Sequence, residues 1–244
     1  MTKSESGGKA VKSISIMAVL ILLAKFMGLF REMLIAGIYG QGYASDVINS
    51  ATQIPLLFFD MVLGVAILST FVPIYNKNLE KVGKSGADAF ANNFITIVGA
   101  VAVLAAILGS VFAQPIVKMM VPGYAEVPGK VEETARLLRV LFPSIAFTAI
   151  AYVVVGILQS HGEFTIPSLI SVVSNGVMIA YLLIFGDKLG LMGVAVSMLA
   201  AWALQLFFQI PWLIKTGYRY KPRWNIKDGL SLIHISEPTR HLRI

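Results

Sequence analysis

Apolar runs long enough to cross a lipid bilayer recur along this chain, and no other feature restricts its folding as much. A hydrocarbon core of roughly 30 Å takes about 20 apolar residues as a helix. Six runs approach that length, near 13–38, 47–75, 89–117, 135–159, 164–185 and 190–214. Backbone groups in lipid must be bonded within the protein, so only helices and closed barrels can span. The alternation of a barrel strand over about ten residues is absent from these runs. The fold class is therefore all-α, a polytopic transmembrane helical bundle of about six spans. Helix punctuation fits: Asp46, Asp88 and Glu132/Glu133 fall near starts, and Gly40, Gly123, Gly162 and Gly217 after stops. Composition agrees, with 57% hydrophobic and 14% charged residues, where a soluble domain has about half and a quarter.

The loop cations orient the bundle. The first run follows Lys3, Lys9 and Lys12, as a secretory signal would. It is longer than a signal core, no A-x-A-like site closes it and further spans follow, so it reads as a retained first span. With the N-terminus in the cytoplasm, Lys77, Lys81, Lys84 and the group Lys215, Arg219, Lys221, Arg223 and Lys227 also lie inside. Lys118, Lys130, Arg136, Arg139 and Lys188 then lie outside. That bias predicts both ends cytoplasmic. Trp212 and Trp224 flank the last basic segment as an interfacial belt would. The net charge of +7 is dispersed over loops, so it implies membrane lipids and no nucleic-acid partner. Cysteine is absent, which excludes disulfides and thiolate metal sites. The expected organisation is a cytoplasmic tail (1–12), a six-helix lobe (13–217) and a cytoplasmic linker toward a second lobe (218–230). The last fourteen residues, "SLIHISEPTRHLRI", are too short to span and show no amphipathic face. They resemble translated adapter sequence and are expected to be non-native.

Three charges sit in the first span, within "AKFMGLFREMLIAGIYG" (24–40), although a charge at mid-bilayer costs at least about 2.5–3.5 kcal/mol. At about 100° per residue, Lys25, Arg31 and Glu32 share one arc with Ala24, Gly28 and Ile35. Val19, Leu23, Phe26, Phe30 and Met33 lie opposite, as a lipid face. The charged side must face protein or water. Arg31 and Glu32 are near enough to the helix end to pair and snorkel to the interface. Lys25 is halfway along and reads as part of a cavity or substrate path. The second span adds Asp46, Asn49, Ser50, Thr52, Gln53 and Asp60. Asp60 is expected to partner Lys25, either in that path or as a buried structural pair. Pro55, Pro143 and Pro167 interrupt spans, where neighbours or water must satisfy the freed backbone groups.

Enzyme motifs fail on context. "GKS" at 83–85 would need Gly at 78 for a phosphate-binding loop, and Asn78 stands there. "GQG" at 40–42 follows a helix rather than a strand. His161, His234 and His241 have no metal spacing, and no Asp-rich pair suits Mg²⁺ on a pyrophosphate. No catalytic residue, cofactor or metal is expected, and the residues name no coupling ion.

The segments "GLFREMLIAGIYGQGYASD", "IPLLFFDMVLGVAILSTFVPIY", "VPGY", "GILQSHGEFTIPSLISVVSNG" and "LQLFFQIPWLIKTGY" together resemble the lipid II flippases of the MurJ (MviN) family. These belong to the multidrug/oligosaccharidyl-lipid/polysaccharide exporter superfamily. The likeness runs from about residue 13 to about 230, in order. It implies a bacterial cytoplasmic-membrane protein of peptidoglycan biogenesis that flips a lipid-linked diphosphate sugar by alternating access. Such proteins have two six-helix lobes around a central cavity, and this chain resembles the first lobe only, a part expected to be inactive alone. The cavity's basic positions fall on Lys25 and Arg31, its acidic neighbour on Glu32, and the acid opening the second helix on Asp46; Asp60 joins them as a candidate substrate-binding residue. The sequence departs where the family often carries an arginine pair, here Phe58 and Phe59, and where a Glu–Gly pair is replaced by Leu63 and Gly64. Two other exporter readings stay open here, for another polyprenyl-diphosphate-linked polysaccharide unit or for drugs. An enzyme acting on polyprenyl phosphates lacks its metal-binding acids.

Overall fold

The computed structural model describes residues 3–64 and 67–225, and within them all regular structure is helical. Helix α1 (Lys3–Tyr39) turns through Gly40 and Gly42, whose φ angles of 75° and 133° suit glycine. It enters α2 (Tyr43–Phe59). After α2 come two π-helical turns, Asp60–Gly64 and Ile67–Phe71, and then α3 (Val72–Lys81). The chain continues as α4 (Lys84–Val111), the short α5 (Ala113–Met120), a 3₁₀ turn (Pro122–Glu126), α6 (Lys130–Leu141), α7 (Ser144–Ser160), α8 (Thr165–Phe185) and α9 (Gly190–Lys215).

Among the described residues, four helical stretches are long and apolar enough to cross a membrane: α4, α6 with α7 in series (Lys130–Ser160), α8 and α9. The first expected span lies in α1, the helix bearing Lys25, Arg31 and Glu32. The second, expected as one run over 47–75, is broken. Pro55 sits inside α2 without a backbone donor, and the first π turn begins four residues after Leu56, with the Asp60 N–H shared between the Leu56 and Leu57 carbonyls. Another correction concerns 89–117. Its helix ends at Val111, and α5 is a separate piece that buries only Ala113 and Val117. The fourth run, 135–159, starts earlier, at Lys130, and is offset at Phe142–Pro143.

Two apolar cores hold the bundle. One joins Ile35 of α1, Val47, Ile48 and Ala51 of α2, Leu137 and Leu141 of α6, Met178 and Leu182 of α8, and Val194 to Ala201 of α9. It closes the end where α1 turns into α2, called here the turn end. The other gathers the π turns and α3 against α4 and α7 around Phe71, Tyr75, Phe142 and Leu158. Close backbone approach permits this packing. A Cβ on Gly109 would come 2.2 Å from the ring of fully buried Phe142, and one on Gly156 would come 2.9 Å from Phe71.

Past α9, residues 218–225 form a strap along α4. Tyr218 Oη donates to Asn92 Oδ1 at 2.7 Å, and the Lys221 N–H reaches the same oxygen at 3.0 Å. Asn93 donates to the Asn225 carbonyl at 2.9 Å and accepts from its N–H at 2.7 Å. The remainder of the expected linker (226–230) and the tail (231–244) lie outside the described residues.

Candidate functional site

Helix α1 packs chiefly on α8, and it does so with the arc of small and charged residues. Ala24 and Ile35 are buried, and a Cβ on Gly28 would meet Asn175 Nδ2 at 3.7 Å. Asn175 is the centre of this seam. Its Nδ2 donates to the Ala24 carbonyl at 3.1 Å, and its Oδ1 accepts from an Arg31 guanidinium NH1 at 3.0 Å. The second guanidinium NH2 donates to Glu32 Oε1 at 2.5 Å. Among the described residues Arg31 Nε is buried without a hydrogen-bond partner. The guanidinium is thus oriented by two acceptors, and its side chain stays part-exposed with N–H donors unused, which suits capture of a further anionic oxygen.

Lys25 and Glu32 flank this seam and are exposed. Lys25 lies six residues from Arg31, about 9 Å along the axis. On α2 the residues Asn49, Gln53 and Leu56 are exposed, as is Asp60 where the first π turn begins, and their spacing of four, three and four places them on one stripe. A polar stripe at this depth needs water or a protein partner, because lipid cannot solvate it.

The expected Lys25–Asp60 pair is not formed. Neither residue joins an ion pair among the described residues. Both lie at similar depth, about 21 Å and 26 Å from the turn end. However, α1 leans on α8 while α2 packs on α6 and α7, so the helices meet through the core at the turn end and present separate open faces farther in. Asp46 is also committed elsewhere. Lys130 Nζ lies 2.7 Å from Asp46 Oδ2 and 4.2 Å from the Tyr124 ring centroid. Tyr124 Oη bonds the Asp46 carbonyl at 2.9 Å and Ser50 Oγ at 2.7 Å. The Lys130 side chain is only 9% exposed, and a buried ammonium must find an anion. The start of α2 is thereby fastened to the start of α6. Neither Asn175 nor Lys130 stands out in the sequence as a site residue. An Asn amid the apolar run 164–185 was the available signal for the first, since mid-span polar groups bond across helices; Lys130 reads as an ordinary loop cation.

Broken spans, a charged face on α1 and a polar stripe on α2 define a multi-pass transmembrane helical lobe. A sequence model described as lipid II flippase MurJ matches residues 35–234, and the chain belongs to that family. A probable lipid II flippase MurJ of Buchnera aphidicola subsp. Schizaphis graminum is 29% identical over 220 residues, covering 89% of this chain and 43% of the relative. Its counterpart from Rickettsia prowazekii is 28% identical, covering 79% of this chain and 38% of its own. The chain thus spans less than half the length of these curated relatives. Among solved structures, the lipid II flippase MurJ in an inward closed conformation aligns with a TM-score of 0.70 at 23% identity, covering 90% of this chain and 45% of that one. The Vibrio cholerae MATE transporter VcmN in its bent form gives 0.71 at 17% identity, covering 94% and 52%. Both likenesses establish the fold. The protein is an integral membrane protein of the flippase family.

Proposed function

We propose that this chain forms one lobe of a flippase that carries the diphosphate-sugar head of lipid II across the membrane while the polyprenyl tail stays in lipid. Residues 13–217 form the lobe and 218–230 lead toward a second one, with the N-terminus and the strap cytoplasmic. The observation that carries this reading is Arg31, a cation held in a lipid-spanning helix by Asn175 with a donor to spare. Arg31 engages the diphosphate through paired bonds and Lys25 adds a compact charge. Gln53 and Asp60 on the α2 stripe face the sugar hydroxyls, and Glu32 keeps the guanidinium turned toward them. The lobe rocks against its partner to move the site between faces. A cationic drug is the poorer substrate, since Lys25 and Arg31 would repel it. Flipping of this kind breaks no bond, so the residues serve binding and not catalysis.

The test is a chimera. Residues 1–225 replace the matching lobe of a full-length relative in cells depleted of their own flippase. Growth is expected to be restored by the wild-type lobe and lost with Arg31→Ala at equal membrane abundance. Full rescue by Arg31→Ala would return Arg31 to a snorkelling residue without a substrate role.

A further inference from the structure

Between the first two turns of α4 and the strap lies a recess of about 510 Å³ lined by Ser85, Asp88, Asn92, Arg219, Lys221 and Arg223, among others. We infer that this recess binds the phosphate of an anionic membrane lipid's head group, a role separate from the flipping site.

Charge is the first support. Arg219, Lys221 and Arg223 join no ion pair among the described residues. The acid on the wall, Asp88, is already matched by Lys84 at 3.1 Å. The recess therefore holds three uncompensated cations. The first turn of α4 adds partial positive charge, because Gly83 supplies no side-chain cap. Shape is the second support. Asn92 and Asn93 fix the strap by its main chain, and Tyr218 is buried at its root. The three cations project from a fastened wall. Gly217, at φ 77°, lets the chain turn beneath Lys84, whose Nζ would lie 3.4 Å from a Cβ there. Depth is the third support. Lys215 Nζ sits 5.4 Å from the Trp212 ring centroid, and Tyr220 and Trp224 are 47% and 60% exposed. Aromatic rings of this kind mark head-group level, where anionic lipid is concentrated and attracts basic segments. A lipid phosphate is favoured over a soluble one for that reason.

The chain is placed in phosphatidylcholine nanodiscs with and without phosphatidylglycerol, released gently and analysed by native mass spectrometry. Phosphatidylglycerol is expected to be retained in preference to phosphatidylcholine. Each of Arg219→Gln, Lys221→Gln and Arg223→Gln should weaken retention about fivefold, following about 1 kcal/mol per surface cation. These side chains are exposed and the bonds that Lys221 and Arg223 give the strap use their main-chain N–H groups, so melting should not change. Asn92→Ala combined with Thr96→Ala keeps every cation, removes the acceptors of the Lys221 and Arg223 N–H groups and should also reduce retention. Equal retention of both lipids, or retention unaffected when all three cations are changed together, overturns the proposal. Loss in that triple variant but not in the Asn92 and Thr96 variant would show diffuse attraction and overturn the built recess. Inorganic phosphate binding to the recess with no lipid preference would make it a soluble-anion site and overturn the lipid assignment.

Discussion

The Arg31 guanidinium carries five N–H donors, and the structure pairs two of them. Asn175 and Glu32 take one edge each, and Nε is left without an acceptor. Asn175 acts through Arg31 and is a positioning residue. In the chimera, Asn175→Ala should lower flipping several-fold and the lobe's stability by about 1–3 kcal/mol, because it removes a charged bond and a backbone bond together. Asn175→Asp keeps the acceptor for Arg31 but loses the donor to the Ala24 carbonyl and cancels the cation, so it should reduce flipping by more than its loss of stability accounts for. If both variants lose stability and transport in proportion, Asn175 is only a packing residue. The arc of Ala24, Lys25, Gly28 and Arg31 was legible in the sequence, because helical period alone fixes which residues share a side. Its filler was not. Asn175 lies 144 residues from Arg31, and periodicity carries no information on which helix faces which. The same blindness explains Asp46, an acid whose true partner is Lys130, 84 residues away.

Among the elements, α2 is held differently at its two ends. Its start is locked to α6 through Lys130, while its far end dissolves into π turns. Such turns widen the helix and recur at functional positions, so the lock supplies the fixed end for any bending there. Lys130→Met should cost about 1–3 kcal/mol, the scale of a charged hydrogen bond; half-exposed Asp46 remains hydrated, which limits the loss. Thermal unfolding in detergent measures it, and an unchanged midpoint would mean that the ring contacts alone fasten α2. The α4–α7 seam gives a sharper case. Gly109→Ala drives a methyl into Phe142, whose ring also packs edge-on against Phe58 at 5.8 Å. Overpacking of this kind costs about 1–3 kcal/mol, and Phe142→Leu in the same chain should recover part of it. No recovery would place the strain in the backbone. The sequence marked spans by apolarity and could not show these offsets, since Pro55 and Pro143 announce a break without giving its geometry.

For the whole molecule, the open faces of α1 and α2 matter most. They carry Lys25, Glu32, Gln53 and Asp60, which no described residue of the lobe covers. Residues 1–225 alone in liposomes should insert but not flip a fluorescent lipid-linked precursor, as read by an impermeant quencher. Arg31-dependent flipping by the isolated lobe would show that two copies can supply both walls. The proposed orientation is testable in cells. In intact cells Lys188→Cys should react with an impermeant thiol reagent, and Lys221→Cys should not. The reverse pattern would invert the bundle.

The strap has one more consequence, for sequence drift. Asn93 grips it as a neighbouring β-strand would, by one N–H and one C=O, and Asn92 takes another N–H. Recognition of this sort reads only two side chains on the strap, the hydroxyls of Tyr218 and Tyr220, which bond Asn92 and Thr96. Its path is dictated from α4, so residues from 219 to 224 other than Tyr220 can change without detaching it, whereas Asn92 and Asn93 tolerate little. A saturation screen of membrane abundance should display that contrast, with the information for where the chain leaves the lobe stored some 130 residues before the point of departure.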